Sequence, residues 1–262
     1  MQLYPDGSDV LDTIDQREES TVGVPELDSF SDRGLVMSVY TPLTSGKEGS
    51  VYCCRAHPST RRKFLAAKVY REHAEGSYKW NATYFEGRER LLKPQVIRAI
   101  RARSSYGKEV AAGLWLEAEY TNLRACHRAG VRVPEPVALA ESALLMEYIG
   151  NGAGPAPLLY GVELTTQAAS ELFEHVVDEI ARMLSIHLVH GDLSPYNILY
   201  WQDEPIIIDL PQAVDPRFNH TALDLLHRDV KNVTLWFARF GVRADPVALT
   251  DSLWDRYQRA AL

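Results

Sequence analysis

The stretch Leu188-Val189-His190-Gly191-Asp192-Leu193-Ser194-Pro195-Tyr196-Asn197-Ile198-Leu199-Tyr200 decides how the rest of the chain is read. Two apolar runs bracket a polar turn in which Asp192 is followed by Asn197, the spacing D-x-x-x-x-N. A carboxylate at the first position orients an attacking hydroxyl, and the amide at the second holds a metal ion beside a phosphate. Just downstream, Ile206-Ile207-Ile208-Asp209 ends a β-branched strand on a second carboxylate, the hard oxygen donor that Mg²⁺ on a phosphate requires. Singly, either Asp reads equally well as a turn cap or a strand end. Together at this spacing they point to phosphoryl transfer, with Asp192 and Asp209 as catalytic residues and Asn197 and Asp209 as metal ligands.

The complementary half lies upstream. Ala66-Ala67-Lys68-Val69-Tyr70 puts one ammonium in an apolar strand, where it is expensive to bury without a carboxylate and a phosphate. Glu119 is the expected carboxylate: it lies three residues after Leu116 and four before Leu123 and shares their helix face, whereas Glu117 turns away. Ser45-Gly46-Lys47-Glu48-Gly49-Ser50-Val51-Tyr52 sits between the first two strands, where a phosphate-covering loop belongs. It is neither G-x-G-x-x-G nor a Walker A motif, so Ser45, Lys47, Gly49, Ser50 and Val51 enter as nucleotide contacts by position. In Leu144-Leu145-Met146-Glu147-Tyr148-Ile149, the backbone from Glu147 to Ile149 is expected to meet the edge of an adenine and Met146 its face.

Around these motifs, Val39–Leu43, Val51–Arg55 and Leu65–Tyr70 read as an antiparallel meander. Helices are expected at Leu116–His127, closed by Gly130, then along Leu172–Leu184 and along Leu226–Phe237, closed by Gly241. The run Gly150-Asn151-Gly152-Ala153-Gly154-Pro155-Ala156-Pro157 marks a lobe boundary.

The 262 residues carry a formal charge of −7 and are 46% hydrophobic, a globular composition rather than a disordered one. The mild charge hides a strong asymmetry. Residues 1–32 hold nine acids and one base, while 55–108 hold fourteen bases and four acids. The first segment reads as a loose acidic tail and the second as a solvated face or a polyanion surface. Cys53, Cys54 and Cys126 lack metal or redox spacing and read as reduced, buried thiols. No basic-then-apolar leader opens the sequence and no apolar run approaches a bilayer's width, so a cytoplasmic protein with no membrane contact is expected.

Taken in order, these segments resemble the RIO family of atypical serine/threonine protein kinases, in the branch without an N-terminal winged-helix domain. Ser45–Tyr52 resembles that branch's S-T-G-K-E-A-x-V-Y loop, Trp115–Leu123 its W-x-E-K-E-x-x-N-L helix, and Leu144–Ile149 its L-x-M-E-F-I hinge. His190–Tyr200 resembles H-A-D-L-S-E-Y-N-x-L-Y, Ile207–Val214 I-I-D-x-x-Q-A-V, and Arg228–Asn232 R-D-x-x-N. The resemblance spans about Leu43 to Val242. It implies an α+β, two-lobed protein-kinase-like fold: a small antiparallel-sheet N-lobe over about 34–149 and a reduced helical C-lobe over about 150–262, after a flexible tail at 1–33. It also implies an ATP- and Mg²⁺- (or Mn²⁺-) dependent kinase that autophosphorylates or acts as an ATPase, passing phosphate to the Asp at the Asp209 position. Asp229 would brace the catalytic loop rather than perform chemistry.

Several positions depart from the pattern. Thr44-Ser45-Gly46 stands for S-T-G, Gly49 and Gly191 for alanines, and Pro195 for an acidic residue. The form H-G-D-L-x-P-x-N-x-L is also similar to aminoglycoside-type phosphotransferases, which keeps a small-molecule acceptor open. A third reading is a nucleotide-switched assembly factor that binds structured RNA or ribosomal precursors through 55–108. Gly191 stands where ordinary kinases carry the Arg of H-R-D, so activation through a phosphorylated loop is not expected.

Overall fold

The computed structural model describes residues 21–46, 49–70, 92–102 and 104–262. By internal contacts the described residues divide into two compact units: 21–70 with Pro136–Ala156, and 92–135 with Pro157–Leu262. The expected boundary run at 150–157 forms a two-stranded hairpin, β6 (Gly150–Asn151) and β7 (Gly154–Pro155), and the division falls directly after it.

The first unit is built on one five-stranded antiparallel sheet. Its strands are β1 (Val36–Ser45), β2 (Gly49–Ala56), β3 (Phe64–Tyr70), β4 (Pro136–Leu139) and β5 (Ala143–Glu147), in the spatial order β1-β2-β3-β5-β4. The central strand β3 is buried along both faces except at Lys68, which is half-buried. Side chains alternate between faces. Leu65, Ala67 and Val69 join one cluster with Val39, Cys54 and Leu145, while Phe64 and Ala66 join the other with Tyr40, Cys53 and Tyr148.

The first of these clusters corrects the expected flexible tail. A 3-10 turn (Pro25–Leu27) and the short helix α1 (Asp28–Asp32) bring Val24, Leu27 and Phe30 onto the sheet, with Phe30 fully buried. Thr21 also bridges Tyr40, so residues 21–33 belong to the folded unit. The acidic residues between these three apolar positions stay in water, which is why composition hid the packing. Residues 1–20 lie outside the described part of the chain.

The second unit is helical: α2 (Pro94–Arg101), α3 (Ser105–Arg128), α4 (Thr166–Ser185), α5 (Ala222–Phe237) and α6 (Pro246–Gln258), with a small hairpin of β8 (Ile198–Trp201) and β9 (Glu204–Ile207). The expected helices are present, each extended beyond its apolar stripe. A Cβ on Gly107 would lie 2.1 Å from the Ala99 carbonyl oxygen, so only glycine there lets α3 pack this closely on α2. Glu179 of α4 is fully buried and receives the Arg132 backbone N–H at 2.9 Å, the Arg132 guanidinium at 2.8 Å and the Arg182 guanidinium at 2.6 Å. Arg132 also holds Glu204 at 2.9 Å, and its carbonyl accepts the N–H of Ile207, so β9 is fixed to α4 two residues before Asp209. The three cysteines are buried and unbridged; burial pushes the Cys126 thiol up to about 12 and that of Cys54 higher still. Among the described residues no helix is long and apolar enough to cross a membrane.

Candidate active site

The turn after Val189 is held from three directions. Val189 pairs with Val214 through two backbone hydrogen bonds of 2.9 Å, which closes the loop from 190 to 213 at its base. From α5, the Asp229 carboxylate accepts the N–H of Gly191 at 2.7 Å and that of Leu193 at 2.9 Å. Asn232 donates to the Leu193 carbonyl at 3.1 Å, and Arg228 donates to the Gly191 carbonyl. A guanidinium therefore does reach the turn where H-R-D would carry its arginine. It comes from another element and is engaged by main chain.

Gly191 has a φ of +78°, and a Cβ there would meet the Gln212 carbonyl oxygen at 3.1 Å. Backbone handedness and close approach thus both require glycine. The buried imidazole of His190 donates from Nε2 to the Ile208 carbonyl at 3.1 Å and accepts the Asp192 N–H at Nδ1 over 3.3 Å. Burial lowers its pKa and keeps the ring neutral. Asp229, by contrast, is raised to about 7, because desolvation outweighs the two backbone N–H groups that favour its ionised form.

The residues expected to act together in this unit are together. Asn197 donates through Nδ2 to the Asp192 carbonyl at 2.8 Å and accepts the Ile208 N–H at its own carbonyl over 3.0 Å, one residue before Asp209. With its amide nitrogen engaged by Asp192, the Asn197 side chain has its oxygen as the atom for a cation. Asp209 follows β9 in the left-handed region at φ +67°, a conformation Asp tolerates better than most residues. Among the described residues no group of three or more His, Cys, Asp or Glu could hold a metal by itself.

Three residues that lie in the quoted segments, but were given no role there, complete this half. Gln212 donates to Asp192 Oδ2 at 3.2 Å, Asn122 of α3 donates to the Leu210 carbonyl at 2.8 Å in the interior, and His190 bridges the two acidic segments. Asn122 lies three residues beyond Glu119 on the buried face of α3, and it is the Asn of the Trp115–Leu123 segment quoted above. Glu119 itself is buried at 1% exposure, while Glu117 is exposed.

The remaining expected site residues lie in the sheet unit, so Lys68 and Glu119 belong to different units. Val51 is in register with Lys68, and Met146 with Ala66, so Val51, Ala66, Lys68 and Met146 occupy one face of the sheet. The Lys68 ammonium lies 5.1 Å from the centre of the Tyr70 ring. Ser50 is in register with Val69, on the opposite face, and its hydroxyl lies 3.1 Å from that of Ser45. Glu147 is in register with Leu65, also away from Lys68, and the Ile149 carbonyl accepts the Ala156 N–H. Gly49 is required by close packing: a Cβ would stand 2.2 Å from the Val69 carbonyl oxygen. Lys47 lies outside the described residues.

Known proteins resemble this chain along most of its length. A family model described as RIO domain matches residues 50–249. The RIO-type serine/threonine-protein kinase Rio1 of Thermoplasma acidophilum is 34% identical over 186 residues, covering 71% of this chain and 90% of that protein. The serine/threonine-protein kinase RIO1 of Homo sapiens is 33% identical over 215 residues, 80% of this chain but only 35% of the longer human protein. Among solved structures, a complex of the Rio2 kinase of Chaetomium thermophilum with ADP, Mg²⁺ and phosphoaspartate shares the fold, with a TM-score of 0.61 at 20% identity over 90% of this chain and 69% of that one. With strands β3 to β5, the Asp192–Asn197 turn and Asp209 all inside the matched region, the chain belongs to the RIO family of serine/threonine kinases.

Proposed function

We propose that the chain transfers the terminal phosphoryl group of ATP, with Mg²⁺ or Mn²⁺, to a serine or threonine hydroxyl, its own included, or to water. The observation that supports this most is the pair of bonds made by Asn197, to the Asp192 carbonyl at 2.8 Å and from the Ile208 N–H at 3.0 Å, which links the turn of Asp192 to the segment that carries Asp209.

In this reading Asp192 orients the acceptor hydroxyl and takes its proton as the oxygen attacks. The Asn197 amide oxygen and the Asp209 carboxylate are the metal donors. When bound, the cation offsets charge on the phosphate oxygens. Lys68 meets the phosphates, with Glu119 as the carboxylate that orients it. Val51 and Met146 cover the base, and the main chain of Glu147–Ile149 reads its edge. Since the Ser50 side chain faces away from Lys68, Ser45, Gly49 and Ser50 would act through their backbone, with Lys47 adding charge.

The test is labelled ATP with Mg²⁺. Asp192→Ala should abolish turnover while calorimetry still detects ATP, and unchanged turnover would remove Asp192 from the reaction.

A second role rests on exposed bases. Lys93, Arg98, Arg101 and Lys108 are exposed around the α2–α3 corner, and we propose this part of 55–108 as a surface for structured RNA. Affinity that falls steeply with salt and survives Asp192→Ala supports it; salt-insensitive or absent binding removes it. The buried, unbridged thiols favour a reducing, cytoplasmic setting.

A further inference from the structure

We infer that Gln212 is a positioning residue for phosphoryl transfer, acting through Asp192; the inference rests on the reading of Asp192 given above. Asp192 is held at every polar group that chemistry does not need. Its N–H is engaged by His190 Nδ1 at 3.3 Å, its carbonyl by Asn197 Nδ2 at 2.8 Å, and its Oδ2 by Gln212 Nε2 at 3.2 Å. The first two bonds fix the backbone. Of the three, the last fixes the rotation of the carboxylate, which leaves Oδ1 as the oxygen for an acceptor hydroxyl. A carboxylate free to rotate would spread its lone pairs over orientations of which few meet the nucleophile, and misplacement of this kind costs rate rather than ground-state binding.

Two features show that the contact is built into the turn. Gly191 has no side chain where one would press on the Gln212 main chain, at 3.1 Å, so the segment carrying Gln212 lies directly against the catalytic turn. That segment is itself a turn closed by the Ala213 N–H on the Leu210 carbonyl at 3.3 Å, and Leu210 is anchored by buried Asn122 at 2.8 Å. Gln212 is thereby placed three residues after Asp209 on a short, fixed arm. A displacement of the Asp209 turn would be felt at Asp192 through this amide.

Two variants test the assignment. Gln212→Leu removes the donor, and Gln212→Glu keeps the shape but puts an acceptor against an acceptor. Both should lower kcat for phosphate release or label transfer from ATP by about 10- to 100-fold, with KM for ATP and calorimetric ATP affinity within about twofold of the parent. A residue that only fills space would leave Gln212→Glu near parent activity, and that result would overturn the inference. The second arm is a double-mutant cycle: in an Asp192→Asn background, Gln212→Leu should have no further effect on residual turnover, whereas a general structural defect would multiply. If Gln212→Leu fails to fold, the near-isosteric Gln212→Glu and its own cycle decide. Parent-like turnover in Asp192→Ala would instead sink the reading of Asp192 itself, a result distinguishable from failure of Gln212 alone.

Discussion

The carboxylate of Asp229 grips the turn at Gly191 from below, accepting its N–H at 2.7 Å while the second oxygen takes the N–H of Leu193 at 2.9 Å. The side chain is buried at 1% exposure. A charge there is tolerated because two backbone donors and the nearby Arg228 answer it, and desolvation still raises its pKa to about 7. Asp229 thus shapes the peptide on either side of Asp192 without facing substrate.

Asp229 should leave a signature in the pH dependence of stability. Its folded pKa of about 7 exceeds the ordinary 3.8, so between these values the native state holds a proton that the unfolded chain has released. Stability from this group is full below about pH 4 and is lost as pH rises through 7, by about 4 kcal/mol at most. Denaturant melts of the parent and Asp229→Asn at pH 5 and pH 8 should show the parent's advantage shrinking at the higher pH. His190 runs the other way: its lowered pKa means stability is lost as pH falls below the ordinary 6.5, and His190→Asn should remove that acid-side loss.

Asp209→Ala should abolish the dependence of nucleotide affinity on Mg²⁺. Calorimetry with ATP in Mg²⁺ and in chelator should give similar affinities for the variant and different ones for the parent. Full retention of the difference would move the metal site elsewhere.

Phe30→Ala should destabilise the sheet unit by about 3–5 kcal/mol, the usual cost of removing a fully buried aromatic ring. An effect below about 1 kcal/mol in urea melts would show that residues 24–33 do not pack on the sheet.

Glu179→Ala should cost about 3 kcal/mol, because it leaves the Arg132 N–H and two guanidinium groups without their buried acceptor. Glu179→Gln, which keeps an acceptor oxygen, should cost less. Equal effects would mean that ionic character contributes nothing.

The sequence carried the parts of this molecule that depend on local period. Lys68 stood out as a single ammonium in an apolar strand, Glu119 could be told from Glu117 by helix phase, and Asp192 and Asn197 by their spacing. What stayed hidden depends on partners far away in sequence. Gln212 and Asn122 stand in segments that the family resemblance picks out, but their contacts lie 20 and 88 residues away, and no periodicity encodes them. Val24, Leu27 and Phe30 were masked differently: three apolar positions at three-residue spacing were outweighed by acids and prolines that composition counts equally. Gly49 reads as a phosphate-loop glycine, but the Val69 carbonyl alone is enough to demand it.

Ile208 ties two hydrogen-bonded segments with its own peptide groups: its carbonyl takes His190 Nε2–H and its N–H reaches the Asn197 carbonyl. The consequence is energetic pre-organisation. The dipoles around Asp192 and Asp209 are oriented when this unit folds, so under the proposed reaction little reorganisation energy would remain to be met as charge develops.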